Sequence, residues 1–64
     1  MNGINIKFDD NELLIKGNKE DLLELAEYIN KVATSNENID HIHLDELTLI
    51  DKNSAIKNLI IEKE

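Results

Sequence analysis

The sequence predicts an α+β fold: a two-layer sandwich of order β-β-α-β-β, with a four-stranded, mainly antiparallel sheet and one helix on one face. Three observations predict it. Residues 4–8 and 12–16 alternate apolar and polar side chains with the period of a strand. Residues 19–34 carry apolar side chains at helical spacing. Residues 39–44 and 56–62 return to short strand-like runs. One apolar helical stripe over one sheet face is the simplest way to bury all of these.

The first run, INIKF, puts Ile4, Ile6 and Phe8 on one side. Asp9, Asp10 and Asn11 interrupt it with residue types that form turns by bonding to their own backbone. ELLIK follows, with Leu13 and Ile15 on a common face and Leu14 on the other. The pair reads as a hairpin that ends at Gly17. Asn18 is the expected helix N-cap, because its side-chain oxygen can accept an unpaired amide of the first turn. Glu20 and Asp21 add negative charge where the helix dipole favours it, and Asp21 stands where a shortened capping-box acid would stand.

The helix is predicted over residues 19–34. Leu22, Leu25, Ala26, Ile29 and Ala33 form the expected buried stripe, with Val32 at its edge and Leu25 and Ile29 deepest. Glu20, Glu24, Glu27 and Lys31 fall opposite, an acidic face that is a secondary candidate for partner contact. A polar loop is expected over residues 34–38. In IDHIHL, residues 39–44, Ile42 and Leu44 share one face, while His41, His43 and the following Asp45 share the other. Residues 46–50, ELTLI, read either as a bulged continuation of that strand or as an irregular apolar loop. DKNS, residues 51–54, reads as a turn, and Leu59 and Ile61 share a face of the last strand.

One helix covers only one sheet face. The other is expected to carry Leu14 and Ile60 together with His41 and His43, and to support weak homodimerisation or another contact.

The 64 residues make one domain, 1–64, with a thin stability margin for its size. Cysteine is absent, so disulfides and thiolate metal sites are excluded. No apolar run exceeds three residues and no basic-then-apolar leader opens the chain, so the expectation is a cytoplasmic protein without a membrane span. Fourteen acids face seven lysines and no arginine, for a net charge of −7. That balance disfavours nucleic acid, which needs basic side chains, and favours a basic protein partner.

His41 and His43 alternate on one strand face and could begin a metal site. A flat strand rarely converges three such side chains on one ion, and no second histidine pair exists. No metal or other cofactor is therefore assigned. Ser35 and Ser54 lie in polar stretches without a nucleophile elbow, and so small a domain has little room for a catalytic cleft. The chain reads as a non-enzyme.

Residues 11–33, NELLIKGNKEDLLELAEYINKVA, and 41–63, HIHLDELTLIDKNSAIKNLIIEK, resemble the immunity protein 32 family, small bacterial proteins of polymorphic toxin systems. Gly17 matches the glycine that ends the family's hairpin. Leu22, Leu23, Leu25 and Ala26 match its helix motif, with Asp21 where glycine is common. His41, His43, Leu44, Asp45 and Glu46 match its HxHLDE run. Ser54 matches its serine, and Leu59 and Ile61 resemble its closing strand. SAIKNLII is one or two residues longer than the usual stretch, and Asn53 replaces a glycine, departures that bear on the register of the last strand.

The resemblance implies a non-catalytic protein that neutralises a cognate toxin by direct contact. His41, His43, Asp45 and Glu46 are the candidate partner-binding residues. Two other readings stand beside it: a small self-associating structural or regulatory domain, and a metal-binding or metal-dependent protein using His41 and His43.

Overall fold

A computed structural model describes residues 3–35 and 40–64. Its elements are β1 (Asn5–Asp9), β2 (Glu12–Lys16), α1 (Lys19–Thr34), β3 (His41–Leu44) and β4 (Leu59–Glu62). The predicted order holds, and the bounds of β2 and α1 match the expected ones. The expected strand residue Ile39 and most of the expected polar loop lie outside the described residues.

β1 and β2 pair antiparallel, with Ile6 opposite Ile15 and Phe8 opposite Leu13. Their two-residue turn needs left-handed backbone at both positions, and Asp10 (φ 51°) and Asn11 (φ 69°) adopt it. These short polar side chains tolerate that region better than most. Asn18 caps α1 as expected: its side-chain oxygen accepts the Asp21 amide at 2.7 Å.

β3 pairs antiparallel with β4, not with the hairpin. The molecule therefore holds two separate two-stranded sheets in place of the expected four-stranded one. The reason lies along the open edge of β1, which is already occupied. The Ile4 amide donates to the Leu49 carbonyl at 2.8 Å, and the Asp51 amide donates to the Ile4 carbonyl at 2.8 Å. Further along, the Ile56 amide donates to the Ile6 carbonyl at 3.1 Å. An irregular segment, residues 49–56, thus occupies the β1 edge of the hairpin, and among the described residues no strand pairs on the β2 edge. Residues 46–50 accordingly follow the loop reading, and regular pairing of the last strand begins only at Leu59.

Ile4, Ile6, Leu25, Leu44, Leu49 and Ile50 form the core, with Tyr28, Ile42, Ile56, Leu59 and Ile61 packed around it. Close approach explains both glycines. A Cβ on Gly3, at φ 82°, would fall 2.4 Å from the Leu49 carbonyl oxygen, and one on Gly17 would fall 2.9 Å from Ile4 Cγ2.

The helix is rotated from the expected stripe. Asp21, Leu25 and Val32 are buried and Tyr28 is half-buried, whereas Leu22 is 41% and Ile29 46% exposed. α1 packs chiefly on β3 and β4, with Leu25 reaching the core of Ile4, Ile6, Leu49 and Ile50. The deep burial expected of Ile29 is corrected with it. The reciprocal half of the expected capping box is also missing, because neither carboxylate oxygen of buried Asp21 has a hydrogen-bond partner.

Candidate functional site

β3 and β4 build an open, two-stranded face. Their register sets His41 opposite Glu62 and His43 opposite Ile60, so these four side chains project together, away from Ile42, Leu44, Leu59 and Ile61. Leu44 is fully buried on the inner side, which fixes the orientation of the outer one. Both histidines are exposed, and Ile60 is 55% exposed. The imidazole rings meet edge-on, with centroids 5.1 Å apart at an interplanar angle of 76°.

Asp40, just before the strand, lies 2.8 Å from His41 Nδ1. This hydrogen bond holds the Asp40 carboxyl below its ordinary range, helped by the positive charge His41 can carry. The site thus offers two imidazoles, an isoleucine and flanking carboxylates on a surface open to a macromolecule.

Asp45 and Glu46 do not extend this face. The strand ends at Leu44, and Asp45 opens a tight turn. Its carboxylate accepts the Leu47 amide at 3.0 Å, its carbonyl accepts the Leu49 amide at 3.0 Å and the Ile50 amide at 2.9 Å, and its own amide donates to Thr48 Oγ1 at 2.8 Å. This reciprocal bonding resembles a helix N-terminal cap, and it delivers Leu49 and Ile50 into the core. Glu46 is exposed beside Lys57, whose ammonium lies 3.7 Å from it, and the neighbouring Leu47 is 93% exposed.

The acidic helix face is present: Glu20, Glu24 and Glu27 line a shallow hollow with Leu23, Tyr28 and Lys31. Lys31 Nζ sits 5.8 Å from the centre of the Tyr28 ring, a cation–π distance. Leu14 and Ile60 are both exposed, as expected, but on different sheets, so they do not make the single patch the sequence predicts. Leu14 instead borders a hollow of about 710 Å³ together with Lys7, Lys16, Asn18, Asp21 and Asp51.

Among the described residues no group of three His, Asp or Glu side chains is placed to hold a metal ion. Among them, too, no helix is long and apolar enough to cross a membrane.

Ser54 is the residue whose role sequence reasoning missed. It is 1% exposed. Its Oγ accepts the Ile6 amide at 2.8 Å and lies 2.7 Å from the Ile56 carbonyl oxygen, clasping the irregular segment to β1. Its only signal in the sequence is its place in the matched family pattern.

The model of the immunity protein 32 family matches residues 12–64. The chain belongs to the immunity protein 32 family. No curated protein and no solved structure matches it. The matched stretch runs from β2 to the end of the chain and includes the histidine face, the Asp45 turn and the Ser54 clasp; core residue Ile4 and β1, which carries core residue Ile6, precede it.

Proposed function

We propose that this protein neutralises a cognate bacterial toxin in the cytoplasm by direct contact and without catalysis. The observation that carries the reading is the family match over residues 12–64. Chemistry supports it in two ways. The net charge of −7 suits a basic partner, and complementary charge speeds encounter. The face of His41, His43 and Ile60 offers an exposed apolar side chain beside two imidazoles and a carboxylate, groups suited to a protein contact. Glu46 and exposed Leu47 extend the contact at the adjoining turn, and the acidic face of Glu20, Glu24 and Glu27 steers the approach. Asp45 contributes by holding that turn.

The test is calorimetric titration of a toxin domain encoded beside this protein, with folding of every variant checked by circular dichroism. The double change His41→Ala, His43→Ala should weaken binding at least ~10-fold, about 1.4 kcal/mol. Asp45→Ala should lower stability by ~0.5–2 kcal/mol, as loss of a cap does, and affect binding only through the loosened turn. Wild-type protein that fails to bind or inhibit the toxin would refute the reading. Full affinity in the folded histidine variant would move the contact to another face.

A further inference from the structure

We infer that a second copy of this chain covers the two apolar faces that the fold leaves open, the hairpin of each copy lying over the helix of the other. The two faces lie on opposite arms of one chain. On the hairpin, Phe8, Leu13 and Ile15 continue the face of buried Ile6, yet they are 61%, 56% and 36% exposed. On the helix, Leu22 and Ile29 lie in line with Ala26 and Ala33 and are 41% and 46% exposed. By composition these are the two halves of one core, an alternating sheet face and a helical stripe. Within one copy the helix packs chiefly on β3 and β4, and the irregular segment anchors the hairpin from its other edge, so these side chains keep the exposure given. The chain is correspondingly open: its radius of gyration is 12.1 Å, against about 10.7 Å for a compact chain of this length.

Two arguments select a second copy as the occupant. The first is area. Side chains of this size, about half exposed, leave roughly 80 Å² each to cover. Five per copy, covered reciprocally, amount to about 800 Å² of apolar surface, which at the apolar share of a homodimer interface corresponds to roughly 1,200 Å² in all. That is the lower bound for a specific interface and fits a weak, reversible dimer.

The second argument is charge. A chain of net charge −7 resists self-association in general. Glu20, Glu24 and Glu27, however, project roughly 150° around the helix from the Leu22–Ile29 stripe, at 3.6 residues per turn. The polar neighbours on the stripe's open side are Lys19 and Asn30, so the acidic hairpin tip of Asp9, Asp10 and Glu12 meets no helix carboxylate. β2 also lies at a sheet edge with every residue exposed, a strand that proteins normally cover or charge. The resulting contact is two-fold and self-complementary.

Sedimentation equilibrium from about 10 µM to about 1 mM tests the inference, since weak dimers dissociate in that range. Wild type should shift from monomer to dimer. Leu13→Lys and Ile29→Glu, each at a side chain already exposed in one copy, should keep the wild-type circular dichroism and weaken dimerisation at least ~100-fold, by placing a charge inside the contact. Mixing the two variants should restore a dimer, because one hairpin–helix pair is then wild type and the other joins lysine to glutamate.

A wild-type protein that stays monomeric at the highest concentration overturns the inference. So does a dimer that both variants leave intact, or unfolding of either variant. A monomer whose Leu13→Lys variant loses toxin affinity would assign the face to the toxin instead. The toxin titration of the histidine variant is read independently of all these outcomes.

Discussion

Removing one oxygen atom, by Ser54→Ala, should be among the most damaging small changes to this protein. Ser54 Oγ is the acceptor for the Ile6 amide at 2.8 Å, and its hydroxyl proton is directed to the Ile56 carbonyl at 2.7 Å or the Ile6 carbonyl at 3.1 Å. Ile6 is 1% exposed, so its amide has no water to turn to. Loss of an intramolecular hydrogen bond ordinarily costs ~0.5–1.5 kcal/mol, and stranding a buried amide raises that to ~1–3 kcal/mol. We expect about 2 to 3 kcal/mol for the clasp as a whole, because two partners lose their bond at once.

Against a total stability of about 3 to 10 kcal/mol for 64 residues, that is a large fraction. Urea unfolding should show it as a fall in midpoint without a change in slope. At about 4–8 °C per kcal/mol for a domain of this size, the melting temperature should drop by roughly 10 to 20 °C. Native-state hydrogen exchange adds a local readout, since the Ile6 amide should lose protection more than the amides of β3. A change below about 0.5 kcal/mol, the range of a surface substitution, would refute the clasp and with it the argument for why β1 is closed to further strands.

Asp21→Ala is expected to leave stability unchanged or raise it by about 1 kcal/mol, since a buried carboxylate without a hydrogen-bond partner is a liability that outweighs its favourable position in the first helical turn; a loss above about 1 kcal/mol in the same urea titration would show that the carboxylate is satisfied in solution. His41→Ala should raise the titration midpoint of the exposed Asp40 carboxyl, followed by carbon-13 NMR, because the hydrogen bond that lowers it is gone. The sign follows from linkage: a depressed folded-state pKa stabilises the fold above the unfolded value and is lost as pH falls through the folded one, so the wild-type advantage of this pair should vanish only in the acid limb below pH 3.8.

What the sequence determines locally, it shows plainly. The Asp10–Asn11 turn and the Asn18 cap depend on a few consecutive residues, and both were legible, together with the bounds of β2 and α1. So was the alternation that sets His41 and His43 outward and Leu44 inward. The rotation of α1 was not. Leu22, Leu25, Ala26, Ile29 and Ala33 make the better apolar stripe, but which side of a helix is buried depends on what packs beneath it. Here α1 packs chiefly on the narrow β3–β4 pair, and the side it buries carries Leu25 and Val32, with Asp21 buried and Tyr28 half-buried beside them. Residues 46–56 were legible only as a loop alternative at 46–50 and a turn at 51–54, not in how they bond to the rest of the chain. Asp45 carries a turn that no alternation reveals, and Ser54 bonds to Ile6 across a separation of 48 residues. Alternation carried one residue too far set Asp45 beside the histidines, and the match to HxHLDE added Glu46, because the motif holds both a surface strand and the turn that terminates it.

The same geometry ties stability to binding. Only seven apolar side chains among the described residues are buried, and nine large ones remain substantially exposed. A chain this short cannot wrap all its apolar groups, since surface falls more slowly than volume as a domain shrinks. Whatever covers Phe8, Leu13, Leu22 and Ile29 or the Ile60 face therefore acts on folding as well as recognition. A ligand bound only by the folded state stabilises it by about 2.7 kcal/mol at a hundred times its dissociation constant. For a total of a few kcal/mol, that gain is comparable to the Ser54 clasp. Two covers at different sites, the toxin at the histidine face and a second copy at the hairpin, would add their stabilisation without competing. If both covers form, an immunity protein built this way would need no large core of its own, because its complexes would supply the remaining contacts.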